Sequence, residues 1–164
     1  MADPLEQQVV EELKNNTAKK NILKKLATPE NREDLIWYLN HYPSGNARKE
    51  GLWINRFLVA VLLVLTVKKL YFIAMVQLNA AAIHQFSPLL LLDLIVPAIN
   101  FFVLYKIIRF QRQGYQFMAV LGLLALVRPE NRIMPDLAMY LVVTGLAIFL
   151  LLRLFPRQEN LEDR

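Results

Sequence analysis

Apolar and polar residues divide the chain into two unlike regions. Up to residue 51 the two kinds alternate with helical periodicity, and from about Leu52 to Phe155 apolar residues dominate. A helix with one side in water repeats apolar residues every three to four positions, whereas a helix surrounded by lipid is apolar on all sides. The pattern therefore predicts an amphipathic head at residues 1–50, a helical membrane domain at 51–155 and a short polar tail at 156–164.

Two helices are expected in the head. Asp3 suits an N-cap and Pro4 a first helical position, and apolar residues then recur every four positions. A change of register near Asn15 allows a break in this helix. Thr28 is the expected N-cap of the second helix, which ends at the Pro-Ser-Gly turn of residues 43–45.

The second half of the first helix is strongly cationic. Five lysines and no acidic residue lie between residues 14 and 25. A lysine close to a membrane surface contributes roughly 1 kcal/mol to the attraction of anionic lipid. The alternative is that these lysines form a solvated face of the head. The candidate lipid-binding residues are Lys14, Lys19, Lys20, Lys24 and Lys25.

The membrane domain contains four apolar stretches, at residues 57–83, 89–105, 117–127 and 137–155. A helix needs about 20 apolar residues to cross a bilayer core, and only the fourth stretch meets this length cleanly. Lys68 and Lys69 interrupt the first stretch and would cost a lone span roughly 5 to 7 kcal/mol. The third stretch is short enough for a re-entrant helix. We predict an all-α, multi-pass membrane protein with about four membrane segments.

A hairpin geometry offers a place for the two lysines. If the first two stretches fold back on each other at residues 85–88, Lys68 and Lys69 lie within about one turn of Lys106 and Arg109. These four candidate interface cations then share one membrane face. Placing this face with the head and the basic tail in the cytosol satisfies the positive-inside tendency, which predicts that both termini are cytosolic.

Asp93 is the only acidic residue within the four apolar stretches. An ionisable group in such surroundings is a candidate functional residue. Asn100 shares its helix face, and the hairpin geometry places Gln77 and Asn79 level with Asp93 as hydrogen-bond partners. Two interpretations stay open. Asp93 either joins two helices through a polar contact or handles protons or ions during transport.

Two smaller patterns concern helix packing. Ala119, Gly122 and Ala125 form a stripe of small residues on the third stretch, which favours close packing against another helix of the same chain. The tetrapeptide Pro-Glu-Asn-Arg occurs at residues 29–32 and again at 129–132. Because helix starts favour proline and acidic residues, we interpret this repeat as coincidence and not as a duplication.

Composition narrows the function classes. Hydrophobic residues make up 55% of 164 residues, which is typical of a membrane protein. The chain has no cysteine and two isolated histidines, so neither thiolate nor histidine metal sites are expected. No phosphate-binding loop or nucleophile motif is present, and we predict no catalytic residue and no cofactor. The net charge of +5 is assigned to cytosolic loops and not to nucleic-acid binding.

The sequence therefore favours a non-enzymatic role. The expected protein is an accessory, scaffold or assembly subunit of a larger membrane complex, in which partner helices complete the charge-bearing segments. Its expected partners are membrane lipids and either other membrane subunits or a second copy of the chain. The alternative is a small oligomeric channel or transporter that uses the intramembrane Asp93.

Overall fold

The structure, a computed structural model, describes residues 3–82 and 88–156. Every regular element in these two ranges is a helix, which confirms the predicted all-helical class. The expected turn at 85–88 and the tail beyond residue 156 fall largely outside the described residues. The α-helices are α1 (Pro4–Lys14), α2 (Lys19–Leu26), α3 (Arg32–His41), α4 (Gly45–Ala82), α5 (Ile95–Ile108), α6 (Arg112–Val127) and α7 (Asp136–Leu154). Two 3-10 helices, Pro88–Leu94 and Pro129–Arg132, precede α5 and α7.

The first three helices form an N-terminal cluster, residues 4–42, around its own apolar core. Its buried residues are Val9, Leu13, Ile22, Leu35, Leu39 and Tyr42. The structure has three helices where the sequence pattern predicts two. The chain breaks after α1 because Asn16 adopts a positive φ of 60°, a conformation that ends a helix and that asparagine tolerates well.

The N-cap expected at Thr28 lies three residues later, at Asn31, and the helix begins at Arg32. Thr28 and Asn31 explain the delay because they bond each other reciprocally. The Thr28 amide donates to Asn31 Oδ1 at 2.7 Å, and the Asn31 amide donates to Thr28 Oγ1 at 3.3 Å. This closed turn separates α2 from α3.

The repeated Pro-Glu-Asn-Arg segments share one capping contact. Asn31 Nδ2 donates to the carbonyl of Leu26 at 3.1 Å, and Asn131 Nδ2 donates to the carbonyl of Ala125 at 2.9 Å. Each bond satisfies a carbonyl near the end of the preceding helix, where intrahelical donors run out. The asparagine of each copy therefore satisfies a carbonyl at the end of the preceding helix, α2 or α6.

Helices α4 to α7 form a four-helix bundle. Each packs against the next along the chain, and α7 closes the ring against α4. The ion pair between Arg153 Nη2 and Glu50 Oε2, at 3.4 Å, brings the end of α7 beside the early part of α4. We call this the proximal end, since the N-terminal cluster is attached there, and the opposite end the distal end. The buried core of the bundle includes Leu58, Leu62, Ile107, Met118, Val143 and Leu150.

A buried polar contact fixes the register of three of these helices. Tyr115 of α6 donates from its hydroxyl to Asn55 Oδ1 of α4 at 2.8 Å. Asn55 Nδ2 in turn donates to the carbonyl of Ile107 of α5 at 3.3 Å. Tyr115 is fully buried and Asn55 is 3% exposed. Because a buried polar group without a partner costs about 1–3 kcal/mol, this contact opposes any sliding of the helices.

This register shows that the predicted hairpin geometry is wrong. Counting 1.5 Å per residue from the Asn55–Ile107 bond puts Lys68 opposite about Leu94, and not within one turn of Lys106. The four candidate interface cations are divided, since Lys68 and Lys69 lie at the distal end and Lys106 and Arg109 at the proximal end. The first two apolar stretches do not pair symmetrically, because α4 is α-helical as far as Ala82, whereas the segment before α5 begins with the 3-10 helix Pro88–Leu94.

A polar network fixes the N-terminal cluster to the turn between α5 and α6. Glu6 accepts hydrogen bonds from Arg109 Nη2 at 2.9 Å and from Gln111 Nε2 at 3.3 Å. The hydroxyl of Tyr42 donates to the same Glu6 oxygen and accepts from Gln111. Phe110, which lies between Arg109 and Gln111, adopts a φ of 59°, which is rare for a bulky side chain. Its buried ring holds the turn in place.

Three of the described helices are long and apolar enough to cross a membrane. They are α4 (Gly45–Ala82), the segment Leu91–Ile108 and α7 (Asp136–Leu154). Most of their surface is not covered within the protein, and large apolar side chains face outward along all three. The structure is therefore that of a membrane-embedded helical protein. The fourth bundle helix, α6, has 16 residues and is shorter than these segments.

The contact between α6 and α7 generates a first prediction. A Cβ atom added at Gly122 would lie 2.1 Å from Thr144 Oγ1, whereas one added at Gly145 would meet nothing within 4 Å. We expect Gly122→Ala to lower the free energy of unfolding by about 1–3 kcal/mol through overpacking, and Gly145→Ala to leave it nearly unchanged. Unfolding of the purified protein in mixed micelles measures both.

Combining Gly122→Ala with Thr144→Ala should recover part of the loss, because the closest atom is then gone. If Gly122→Ala and Gly145→Ala had equal free energies of unfolding, the close approach of Gly122 to Thr144 would be contradicted. For Gly122, this contact confirms the expectation that the stripe of small residues packs against another helix of the same chain.

The docking of the N-terminal cluster should depend on pH. Burial and the hydrogen bond to Glu6 raise the pKa of Tyr42 to about 12 from an ordinary value of 10. A group whose pKa is raised on folding contributes its full stabilisation below the unfolded value and loses it as the pH rises through the folded value. We therefore expect docking to weaken between pH 10 and about 12. Energy transfer between dyes on cysteines placed at exposed Lys24 and Lys49 reports the separation.

Tyr42→Phe should remove this pH-dependent step. Tyr38→Phe is the matched control, because the pKa of Tyr38 is also raised to about 12, while its hydroxyl donates to Asp3 within the N-terminal cluster. A step that persists in Tyr42→Phe, or that vanishes in Tyr38→Phe, would contradict the assignment.

Candidate functional site

The distal end of the bundle contains a polar cleft, which we call the distal cleft. It has a volume of about 400 Å³ and receives side chains from α4, from both 3-10 helices and from the ends of α6 and α7. Its apolar wall comes from Leu65, Phe72 and Ile73 of α4. Its polar lining consists of Lys68, Lys69, Asp93, Arg128, Asn131, Asp136 and Tyr140.

An ion pair between Lys68 and Asp136 joins two walls of the distal cleft. Asp136 lies in the first turn of α7, where the positive end of the helix dipole stabilises a carboxylate. Lys68 approaches from the side of α4. The pair therefore fixes the start of α7 against the middle of α4.

Lys69 and Asp93 line the same cleft without being joined by an ion pair. Among the described residues, no carboxylate lies within ion-pairing distance of the Lys69 ammonium group. Asp93 is exposed on the 3-10 helix that precedes α5. Among the residues that the structure describes, the lining of the cleft includes three cationic side chains and two acidic ones, and one of the acidic ones, Asp136, is paired with Lys68.

A smaller cavity continues from the distal cleft into the bundle. Its volume is about 150 Å³, and it shares Leu65, Lys69, Arg128, Asn131 and Tyr140 with the cleft. Asn100 forms part of its wall. The cavity also reaches Leu62 and Met118, which belong to the packed core, so the polar surface ends about halfway along the bundle.

The predicted intramembrane polar residues fall into two groups. Asp93 lines the distal cleft and Asn100 lines the cavity that continues it. Gln77 and Asn79, expected beside Asp93, lie further along α4, and the α4 residues that share the cleft with Asp93 are Phe72 and Ile73. The same change of register that separates the interface cations accounts for this difference.

Several cleft residues are not singled out by the sequence pattern. Arg128, Asn131 and Asp136 lie between apolar stretches, where a polar residue is ordinary. The sequence nonetheless contains a signal for Asp136. Two lysines inside an apolar stretch need an acidic partner, and Asp136 directly precedes the fourth stretch, the one that is long enough to cross a bilayer. Only the register of α4 against α7 identifies it as the partner of Lys68.

The five candidate lipid-binding lysines do not form one uniform face. Lys25 forms an ion pair with Glu12, which lowers the pKa of Glu12 through a hydrogen bond to its carboxylate. Lys14 and Lys24 are exposed. Lys19 and Lys20 lie at the start of α2, on the side of the N-terminal cluster that faces the bundle.

The proximal end carries cations stacked on aromatic rings. The pairs are Arg56 over Trp53, Lys106 over Phe102, Arg109 over Tyr105 and Arg153 over Phe149, with distances to the ring centroid of 5.3, 5.5, 5.5 and 5.8 Å. They come from α4, α5 and α7 and lie around one end of the bundle. Aromatic rings and extended basic side chains of this kind are typical of a membrane–water interface.

Comparisons with protein families, with curated proteins and with solved structures find no match for this chain. Within the described residues there is also no group of three histidine or acidic side chains placed to hold a metal ion.

The Lys68–Asp136 pair generates the third prediction. In a double-mutant cycle, Lys68→Gln and Asp136→Asn should couple by about 0.5–1 kcal/mol, the upper range for a partly exposed ion pair. Lys69→Gln is the matched control, because its ammonium group has no partner of this kind, and it should not couple to Asp136→Asn. Unfolding in mixed micelles gives the three energies. Equal coupling of the two lysines would contradict the pairing.

Proposed function

We propose that this chain is a non-enzymatic subunit of a larger membrane complex. In this proposal all four bundle helices lie in the membrane, and the N-terminal cluster and the end of α7 lie on the cytosolic side. The ring arrangement supports four membrane segments, because α6 packs against both α5 and α7. The basic residues and stacked aromatic rings at the proximal end support the orientation, since cytosolic loops are enriched in Lys and Arg.

The observation that carries the proposal is the unequal length of the bundle helices at the distal end. Lys68 lies beside the start of α7, but α4 continues for 14 residues beyond it, about 21 Å. This overhang, residues 69–82, exposes large apolar side chains, of which Tyr71 is 68% exposed, Phe72 67% and Leu78 66%. A surface of this kind needs either lipid or protein around it.

Membrane thickness places charged residues of the distal cleft inside the bilayer. Arg56 marks the proximal interface, and Lys68 lies about 18 Å further along α4. A typical hydrocarbon core is about 30 Å thick, so the cleft lies roughly 12 Å short of the far surface. A charged side chain facing lipid at such depth costs about 2.5–3.5 kcal/mol on the insertion scale. Lipid is therefore a poor neighbour for the cleft.

A partner helix fits these constraints better. The notch bounded by the α4 overhang and the shorter ends of α6 and α7 offers an apolar wall and a cationic base. We propose that a transmembrane helix of another subunit occupies this notch and presents a carboxylate to Lys69. Its apolar side chains would cover Phe72 and the rest of the overhang.

Photo-crosslinking in native membranes tests this role and is the fourth prediction. A benzoylphenylalanine at position 72 should form a discrete protein adduct, and the same protein should co-purify in a fixed ratio. Position 101 is the matched control, because Phe101 is exposed on α5 away from the notch. There we expect adducts with lipid only. Lys69→Gln should reduce the recovery of the partner.

Adducts with lipid alone at both positions, together with recovery of an isolated chain, would contradict the proposal. An adduct with a second copy of the chain would replace the foreign subunit by self-association and would contradict the partner chosen here.

A transporter is the second candidate, favoured by the polar surface that joins Asp93 to Asn100. The packed core beyond Leu62 and Met118 argues against a path through one protomer. Proton or ion flux through the purified protein in liposomes, abolished by Asp93→Asn, would place this candidate first. Absence of flux supports the subunit role.

A further inference from the structure

An exposed tryptophan interrupts the polar surface of the N-terminal cluster. Trp37 of α3 is 43% exposed, and among the described residues of the cluster no other large hydrophobic side chain is exposed. The cluster otherwise packs its apolar residues into its own core. A tryptophan ring combines a large apolar body with one polar N–H group, and this combination favours the boundary between lipid and water.

The ring of Trp37 packs on a neighbour that is neutral at neutral pH. It stacks on His41 with the ring centroids 3.9 Å apart and the planes inclined by 22°. His41 Nδ1 donates to the carbonyl of Trp37 at 2.7 Å, which holds the imidazole beside the indole. Burial lowers the pKa of His41 from its ordinary value of 6.5, and the nearby cations Arg112 and Lys106 lower it further. Trp37 and His41 therefore form an uncharged aromatic pair.

Lys106 relates this aromatic pair to the outer surface of the bundle. The ammonium group of Lys106 lies 5.5 Å from the centroid of the Phe102 ring, and Phe102 is 52% exposed on α5. Lys106 is also close enough to His41 to lower its pKa. A short series of side chains thus leads from Trp37 of the cluster to the exposed apolar surface of α5.

The polar network around Glu6 holds the cluster at the same end of α5. Arg109 donates from Nη2 to Glu6 at 2.9 Å and from Nη1 to the hydroxyl of Tyr105 at 2.8 Å. Tyr105 is 52% exposed, so its ring belongs to the outer surface of α5. Both α1, through Glu6, and α3, through His41, therefore lie beside the end of α5.

Membrane dimensions give the depth of this end. In the orientation proposed above, Lys106 and Arg109 lie at the proximal membrane surface with the other stacked cations. The interfacial layer between the hydrocarbon core and water is about 5–8 Å thick on each side of a bilayer. A ring beside Lys106 reaches this layer without entering the hydrocarbon core, and the uncharged pair of Trp37 and His41 suits it.

We infer that Trp37 anchors the N-terminal cluster in the headgroup layer of the membrane. The partner of this surface is the lipid bilayer itself. The cluster is then attached twice, to the bundle through Glu6 and to the bilayer through Trp37. The inference relies on the membrane orientation proposed above but not on the partner subunit.

Depth-dependent quenching of Trp37 fluorescence tests this inference and is the fifth prediction. The chain has two tryptophans, so Trp53→Phe leaves Trp37 as the sole tryptophan. Trp53 is 75% exposed, and its replacement leaves the core intact. The variant is reconstituted above neutral pH in phosphatidylcholine bilayers with nitroxide-labelled lipid. We expect more quenching by a headgroup label than by a label at the bilayer centre, about 15 Å deeper. Aqueous iodide should quench weakly.

Trp37→Phe is the matched control, because it leaves Trp53 as the sole tryptophan. Trp53 stacks with Arg56 at the proximal end, and the headgroup label should also quench it more than the central label does. If neither lipid label quenched Trp53, the proposed membrane orientation itself would be contradicted. Quenching of Trp53 by lipid labels without quenching of Trp37 would overturn the inference and leave the orientation in place.

Two further results would overturn the inference by showing what covers Trp37 in place of lipid. Strong quenching by iodide, with none by the lipid labels, would place the ring in open water. Protection from iodide and from both lipid labels would place it against protein, such as a second copy of the chain. Quenching that is strongest with the headgroup label supports the inference, whether or not position 72 yields a partner adduct.

Discussion

The hydrogen bonds of Asn55 determine how the rest of the bundle is arranged. The outer surfaces of α4, α5 and α6 are apolar along most of their length, and apolar packing alone discriminates weakly between neighbouring registers. The bonds from Tyr115 to Asn55 and from Asn55 to the Ile107 carbonyl hold in one register only. That register brings Asp93 to the same cleft as Lys69 and leaves α4 projecting beyond its neighbours. The distal cleft is thus set by a contact about 20 Å away along α4.

Much of the fold follows from the apolar pattern, whereas the arrangement of the site does not. The described residues of the four apolar stretches lie in helices except for Phe155, and Gly122 packs within the chain as its small size suggests. The pattern does not reveal that Asn55, a single amide at the start of the first stretch, bonds across two helices. Without that bond, the only guide to the register is the predicted turn at residues 85–88. That guide fails because α4 and the segment that returns from the turn differ in length and helix type. The hairpin prediction therefore groups Lys68 with Lys106, whereas the structure pairs Lys68 with Asp136.

The two ends of the bundle differ in how their charges are accommodated. At the proximal end, basic side chains lie over aromatic rings or bind the N-terminal cluster, and water or headgroups are close to all of them. At the distal end, Lys68 has Asp136, but Lys69 has no such carboxylate among the described residues, and the apolar wall beside it is exposed. This exposed apolar wall beside a lysine is the surface that the proposed partner helix would cover.

The depth proposed for the distal notch depends on one geometric fact, the short length of α6. In the proposed orientation, Arg112, the first residue of α6, lies at the proximal membrane surface with the other basic residues of that end. With 16 residues this helix reaches only about 24 Å into the membrane, whereas the hydrocarbon core alone is about 30 Å thick. Its last residue and the charged turn after it therefore remain below the far surface. In this orientation the distal notch lies inside the bilayer, where a helix of another subunit can reach it and cover its apolar wall.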